Sequence, residues 1–121
     1  MAHGSGMTDW EELAQKHIAE MQRTLPEPIR IRAAEVPVFL SRAEDEESST
    51  CLGIFEGNSM LDGPPAQPDE MPRITLFIDT LAEAANYRRK AFLREVRVTY
   101  LHELGHYFGW DEGELAEVGL E

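Results

Sequence analysis

Eleven residues near the end of the chain, HELGHYFGWDE (102–112), combine side chains that bind a divalent metal with a carboxylate that moves protons. On a helix, His102 and His106 stand one turn apart on the same side, so their imidazole nitrogens can meet a single ion. Glu103 flanks that row, where a carboxylate can take a proton from metal-activated water. Zinc lowers the pKa of such a water to about 7, which supplies hydroxide at neutral pH. Glu103 would then pass the proton to a leaving amine. A catalytic zinc takes three protein ligands and keeps a fourth position open. Gly109 can adopt a left-handed conformation at the helix end and turn the chain back, bringing the residue three further on toward the metal. That residue is Glu112. Asp111 competes with it, but Asp111 and Glu114 also have capping-box spacing for a terminal helix over GELAEVGL, which would occupy Asp111 structurally. The spacing therefore favours Glu112. H-E-x-x-H arises by chance in on the order of one chain of this length in a few hundred, and the following glycine and acid make coincidence rarer. The plain alternative is a buried helix whose His and Glu are ordinary hydrogen-bonded core residues.

The segment that must carry these groups, from about Arg88 to Phe108, contains no Gly or Pro before Gly105 and favours helix throughout. Glu95 and Thr99 extend the histidine row. Leu93, Val96, Tyr100, Leu104 and Phe108 form a second row, and Val98 and Leu101 a third. The pattern predicts a helix buried over most of its circumference, with the histidine row facing a cleft. Gly105 costs about 1 kcal/mol of propensity relative to Ala, a cost that close approach of another element would offset. Tyr107 is expected to point away from the ligands.

Upstream, Thr8 and Glu11 have the spacing of a capping box at a helix start. Trp10, Leu13, Ala14, His17, Met21 and Leu25 share one face of that helix, with His17 as a satisfied core histidine. Pro26 and Pro28 end it. PIRIRAA (28–34) alternates Ile and Arg and reads as a half-buried strand; VPVFL (36–40) reads as a second, with Pro37 marking an edge or bend. SRAEDEESST (41–50) is an acidic, solvated loop. CLGIFEG (51–57) and RITLFID (73–79) complete the strands. Residues 58–72 show no period and form a long loop, expected to hang over the cleft as a lid. Thr80 and Glu83 offer a cap for a turn or two of helix over LAEAANY. The order of elements predicts an α+β domain: a small mixed β-sheet packed on an N-terminal helix and a long active-site helix.

The whole composition bounds these readings. The chain has 121 residues, 42% hydrophobic and 28% charged, enough for one folded core. Its net charge of -12 argues against nucleic acid and against anionic membranes as partners. Cys51 is the sole cysteine, so no intrachain disulfide forms; it is expected to pack as a small apolar residue at a strand edge. MAHGSG (1–6) reads as the remnant of an expression tag, leaving residues 7–121 as a single domain. With no apolar run of membrane length and no leader-like start, a cytoplasmic protein is expected. Nothing in the pattern specifies an oligomer.

TYLHELGHYFGWDEGELAEVGLE, with LGIFEG and RITLFID upstream, resembles the minimal zincins, small bacterial proteins of the zincin-like metallopeptidase type. The resemblance runs over nearly the whole chain from Met7, closest in the metal helix. It implies a minimal zincin-like fold, with zinc held by His102, His106 and an acidic residue after Gly109, and Glu103 as catalytic base. The sequence departs from the pattern in two ways. The family's third ligand is usually aspartate, whereas the matching position here is Glu112, one methylene longer. There is also no Met-turn, since no methionine follows Met71, which separates the chain from full metzincins. The leading expectation is a zinc-dependent metallopeptidase. Its peptide or protein substrate would lie extended along a sheet edge, either 51–57 or the strand before it. The alternative is a zinc-binding interaction module of little or no catalytic activity. It draws on the nine residues that follow Glu112 and on the lack of an Arg, Tyr or His after the motif to act as oxyanion donor. A purely structural zinc would need a closed four-ligand site, most simply by adding Asp111 or His17.

Overall fold

A computed structural model of the chain describes residues 6–43, 51–110 and 113–114. Helix α1 (Gly6–Thr24) opens the fold, starting two residues ahead of the expected Thr8 cap. Its buried stripe is Ala14, Ile18 and Met21, continued by Leu25 just past its end, the spacing of one helical face. Ile18 takes the central place, so His17 beside it is only half-buried and not the core histidine the pattern suggested. Trp10 and Leu13 pack at the margin of the core.

The segment read as a strand after the prolines is instead a short helix, α2 (Glu27–Ala33). Pro26 stands at its N-cap and Pro28 in its first turn, where a missing N–H costs nothing. The Ile/Arg alternation misled because only Ile29 and Ala33, four apart, are buried, while Ile31 is 58% exposed. Alternation of residue type was present without alternation of burial.

Three short strands follow: β1 (Val38–Ser41), β2 (Gly53–Glu56) and β3 (Arg73–Phe77). They form a mixed sheet in the order β1-β3-β2, with β1 parallel and β2 antiparallel to the central β3. Among the described residues both β1 and β2 are therefore edges, and Pro37 precedes an edge strand as expected. Ile74 and Leu76 turn into the core with no exposure, while Thr75 between them faces outward with its partners Phe39 and Ile54. The helices cover only the Ile74/Leu76 face, giving the small α+β layer architecture. Cys51, ahead of β2, is exposed rather than packed.

Helix α3 (Ile78–Ala84) continues directly from β3, so Thr80 lies inside it and the N-cap is Phe77, which makes no side-chain cap. Asn86 and Tyr87, both at positive φ, turn the chain into α4 (Arg89–Phe108). Phe92, Val96, Tyr100, Leu101 and Leu104 bury one side of α4 against α1, α3 and the sheet. Trp10 packs on Phe92 with ring centroids 4.7 Å apart, and Gln22 Nε2 donates to the Tyr100 hydroxyl at 3.1 Å. The helix is less enclosed than its sequence implied, since Val98 is 54% exposed.

Residues 58–72 are more ordered than their lack of period suggested. Two 3-10 turns, Met60–Asp62 and Pro68–Glu70, each carry reciprocal capping. Asn58 N–H donates to the Glu70 carbonyl at 2.7 Å and closes the base of the loop.

Candidate metal centre

The site is set by where α4 lies against β2. Gly53 permits that approach: a Cβ there would stand 2.8 Å from Thr99 Cγ2 and 2.9 Å from Leu76 Cδ2. Any side chain at 53 would push the strand off the helix. Thr99 is consequently buried between helix and strand, not on the open row with the histidines.

Along the exposed side of α4, His102 and His106 bring their Nε2 atoms to 3.3 Å, with the rings edge to face at 81°. Two nitrogens bound at about 2.0–2.1 Å to one tetrahedral zinc stand about 3.3 Å apart. The pair is thus spaced for chelation without rearrangement. Both imidazoles are exposed, which excludes the alternative of core histidines packed in hydrocarbon. Among the described residues, His102, Glu103 and His106 gather potential ligand atoms within 4.8 Å of one another. His17 is not in that cluster, so the closed site drawn with His17 is not formed.

Glu103 sits behind the pair in a different environment. Its side chain is 12% exposed, and Oε1 lies 3.9 Å from His106 Nε2. Burial pushes its carboxyl above the ordinary carboxylate range, opposed by the nearby histidines and by the backbone N–H of Phe55. The contact with Phe55 follows from strand register. Phe77 N–H donates to the Leu52 carbonyl, so alternation turns the main-chain groups of Gly53 and Phe55 away from β3, toward the outer edge of β2. The edge thus presents one donor to the carboxylate that α4 aims at it.

The helix ends as its glycine predicts. Gly109 is left-handed (φ 75°, ψ 26°), and the N–H groups of Gly109 and Trp110 donate to the His106 and Gly105 carbonyls. Leu61, from the first 3-10 turn, lies over Gly109, where an added Cβ would meet Leu61 Cγ at 2.9 Å. Glu112 and its competitor Asp111 lie outside the described residues, as does most of the expected terminal helix; Gly113 and Glu114 are helical. Tyr107 points away from the histidines, its hydroxyl donating to Glu35 Oε1 at 3.1 Å. The sequence reading missed the Phe55 N–H and the seat of Leu61. Gly53 inside a strand was the available signal for the first, and nothing in the composition of 58–72 pointed to the second.

The zincin-like metallopeptidase family pattern matches residues 27–120. The chain belongs to that family, whose members hold a divalent metal, typically zinc. A comparison with curated proteins finds no match. No helix among the described residues is long and apolar enough to cross a membrane.

Proposed function

We propose that the protein is a zinc-dependent metallopeptidase, with His102 and His106 as metal ligands, Glu112 as the third and Glu103 as general base. The observation that carries this reading is the 3.3 Å Nε2–Nε2 separation of two exposed histidines beside a buried carboxylate. Bound zinc supplies Lewis acidity, making water acidic near neutral pH and polarising a peptide carbonyl. Glu103 takes the proton of the attacking water and delivers it to the leaving amine. Its burial makes the carboxylate a stronger proton acceptor than a solvated one, and Phe55 N–H orients it. An extended peptide or protein substrate runs along the open edge of β2, using the outward main-chain groups of Gly53 and the Phe55 carbonyl. Residues 58–72 flank the end of that edge as the lid.

Glu103→Ala tests this reading against the zinc-binding interaction module. The variant retains zinc at the parent stoichiometry and loses cleavage of a mixed peptide library by about 100-fold or more. Equal inertness of parent and variant, both loaded with zinc, would instead support the module.

A further inference from the structure

At the opposite edge of the sheet from β2, no strand among the described residues pairs with the outer edge of β1. Ile74 N–H donates to the Pro37 carbonyl, so the parallel ladder uses main-chain groups of 37, 39 and 41 and turns those of Val38 and Leu40 outward. No hydrogen bond among the described residues reaches these outward groups. Unpaired edges of this kind are ordinarily covered or blunted. Here α1 packs on α2, α3 and α4 and stands off from β1, leaving a groove of about 580 Å³. Ala19, Ala33 and Ala34 line it beside Ile18, and the three small side chains leave room between helix and strand.

The groove is polarised along its length. Among the described residues Glu11 is the only charged one lining it, at the N-terminal end of the α1 wall. Past Ala19, Gln22 and Ala34 it continues into a second hollow of about 320 Å³, walled by Arg23 and Arg30. Arg30 is shared with Glu27 at 3.6 Å, a solvent-exposed pair. Arg23 makes no ion pair among the described residues. Twelve residues of α1, from Glu11 to Gln22, span roughly 18 Å, the reach of about five extended residues.

We infer that this groove takes the C-terminal segment of an extended polypeptide as an added strand on β1. The free carboxylate meets Arg23 and Arg30, and a neutral or basic residue lies toward Glu11. Main-chain pairing with Val38 and Leu40 supplies affinity, and the charge at each end sets direction. A terminal carboxylate fits better than an acidic side chain, because it lies in line with the strand and reaches past its last pairing. A second copy of this chain fits poorly, since each copy carries a net charge of -12 and presents Glu11 to the other.

The test uses a fluorescein-labelled heptapeptide alternating valine and threonine, with lysine at the amino end and a free carboxyl end. Its C-terminal amide serves as the control. Anisotropy titrations are run on the full chain with chelator present and again on the zinc-loaded Glu103→Ala variant, so that cleavage does not interfere. The inference predicts binding of the free acid equally in both settings and binding about tenfold weaker for the amide. Arg23→Ala weakens the free acid by a similar factor and leaves the amide unchanged. Ala19→Trp, an exposed position that fills the groove, abolishes binding of both while preserving the circular dichroism spectrum. Equal binding of acid and amide would overturn the assignment of the carboxylate. Binding only in the zinc-loaded setting, no binding below about 1 mM, or a dimer that excludes the peptide would overturn the groove as its site. None of these outcomes depends on peptidase activity.

Discussion

At the residue scale, burial sets Glu103 apart from the two histidines and supports the roles proposed for them. Imidazoles on the exposed side of α4 are open to an ion, whereas Glu103, one position on from His102, is drawn between helix and strand and meets the Phe55 N–H. The third ligand is separable by substitution: Glu112→Ala should lower zinc affinity by more than about 100-fold, and Asp111→Ala should leave it near the parent value. Competition with a chromophoric chelator reads both. Tyr100, on the buried side of the same helix, yields a prediction about pH. Burial raises its hydroxyl above 10.0, against the opposing hydrogen bond from Gln22. The folded chain therefore holds this proton more tightly than the unfolded chain does. The resulting stability is complete below the unfolded value and is lost as pH rises through the folded one. Tyr100→Phe costs about 1 kcal/mol at neutral pH by stranding Gln22, but its stability falls less steeply above about pH 10. Urea titrations across that range measure the difference.

At the scale of elements, two glycines hold the site together by having no side chain. Gly53→Ala places a methyl 2.8 Å from Thr99 Cγ2 and 2.9 Å from Leu76 Cδ2, and should destabilise by about 1–3 kcal/mol. Combining it with Thr99→Ala removes the nearest clash, so the double variant recovers part of that loss. A thermodynamic cycle by denaturant unfolding reads the coupling. Gly109→Ala combines a left-handed backbone with a clash against Leu61, and should cost about 1–2 kcal/mol while weakening metal binding. These elements also show what the sequence could and could not convey. Helix α4, its left-handed terminus, the two outer strands and β3 were legible, because long helical runs, bounding glycines and the Ile74/Leu76 alternation are local signals. α2 was not, because seven residues carry too little periodicity to separate i, i+4 burial at Ile29 and Ala33 from alternation. The paired 3-10 turns of 58–72 were hidden for a related reason: their caps, Ser59 to Asp62 and Gln67 to Glu70, organise a turn without any apolar repeat. The Phe55 contact depends on strand register, which only the assembled sheet fixes.

At the scale of the whole molecule, the proposed metal centre is an addition to a finished fold and not its foundation. The core runs through α1, α3, α4 and the inner face of the sheet, and both histidines lie outside it. Chelation should therefore leave the chain folded, in contrast to domains that unfold without their ion. It should still lower the melting temperature, because zinc at about 100 times its dissociation constant adds about 2.7 kcal/mol to the folded state, on the order of 10 °C for a domain of this size. Calorimetry with and without chelator checks both parts. Location at the surface also sets the proposed centre beside the edge of β2 that no described strand covers, as a peptidase requires and a structural zinc does not. The most direct measurement is an anomalous-difference map at the zinc edge from crystals grown with zinc. The account predicts one peak, about 2.0–2.1 Å from Nε2 of both His102 and His106, with the Glu112 carboxylate as third ligand and one position left to solvent. A peak elsewhere, or one enclosed by four protein ligands, would contradict it.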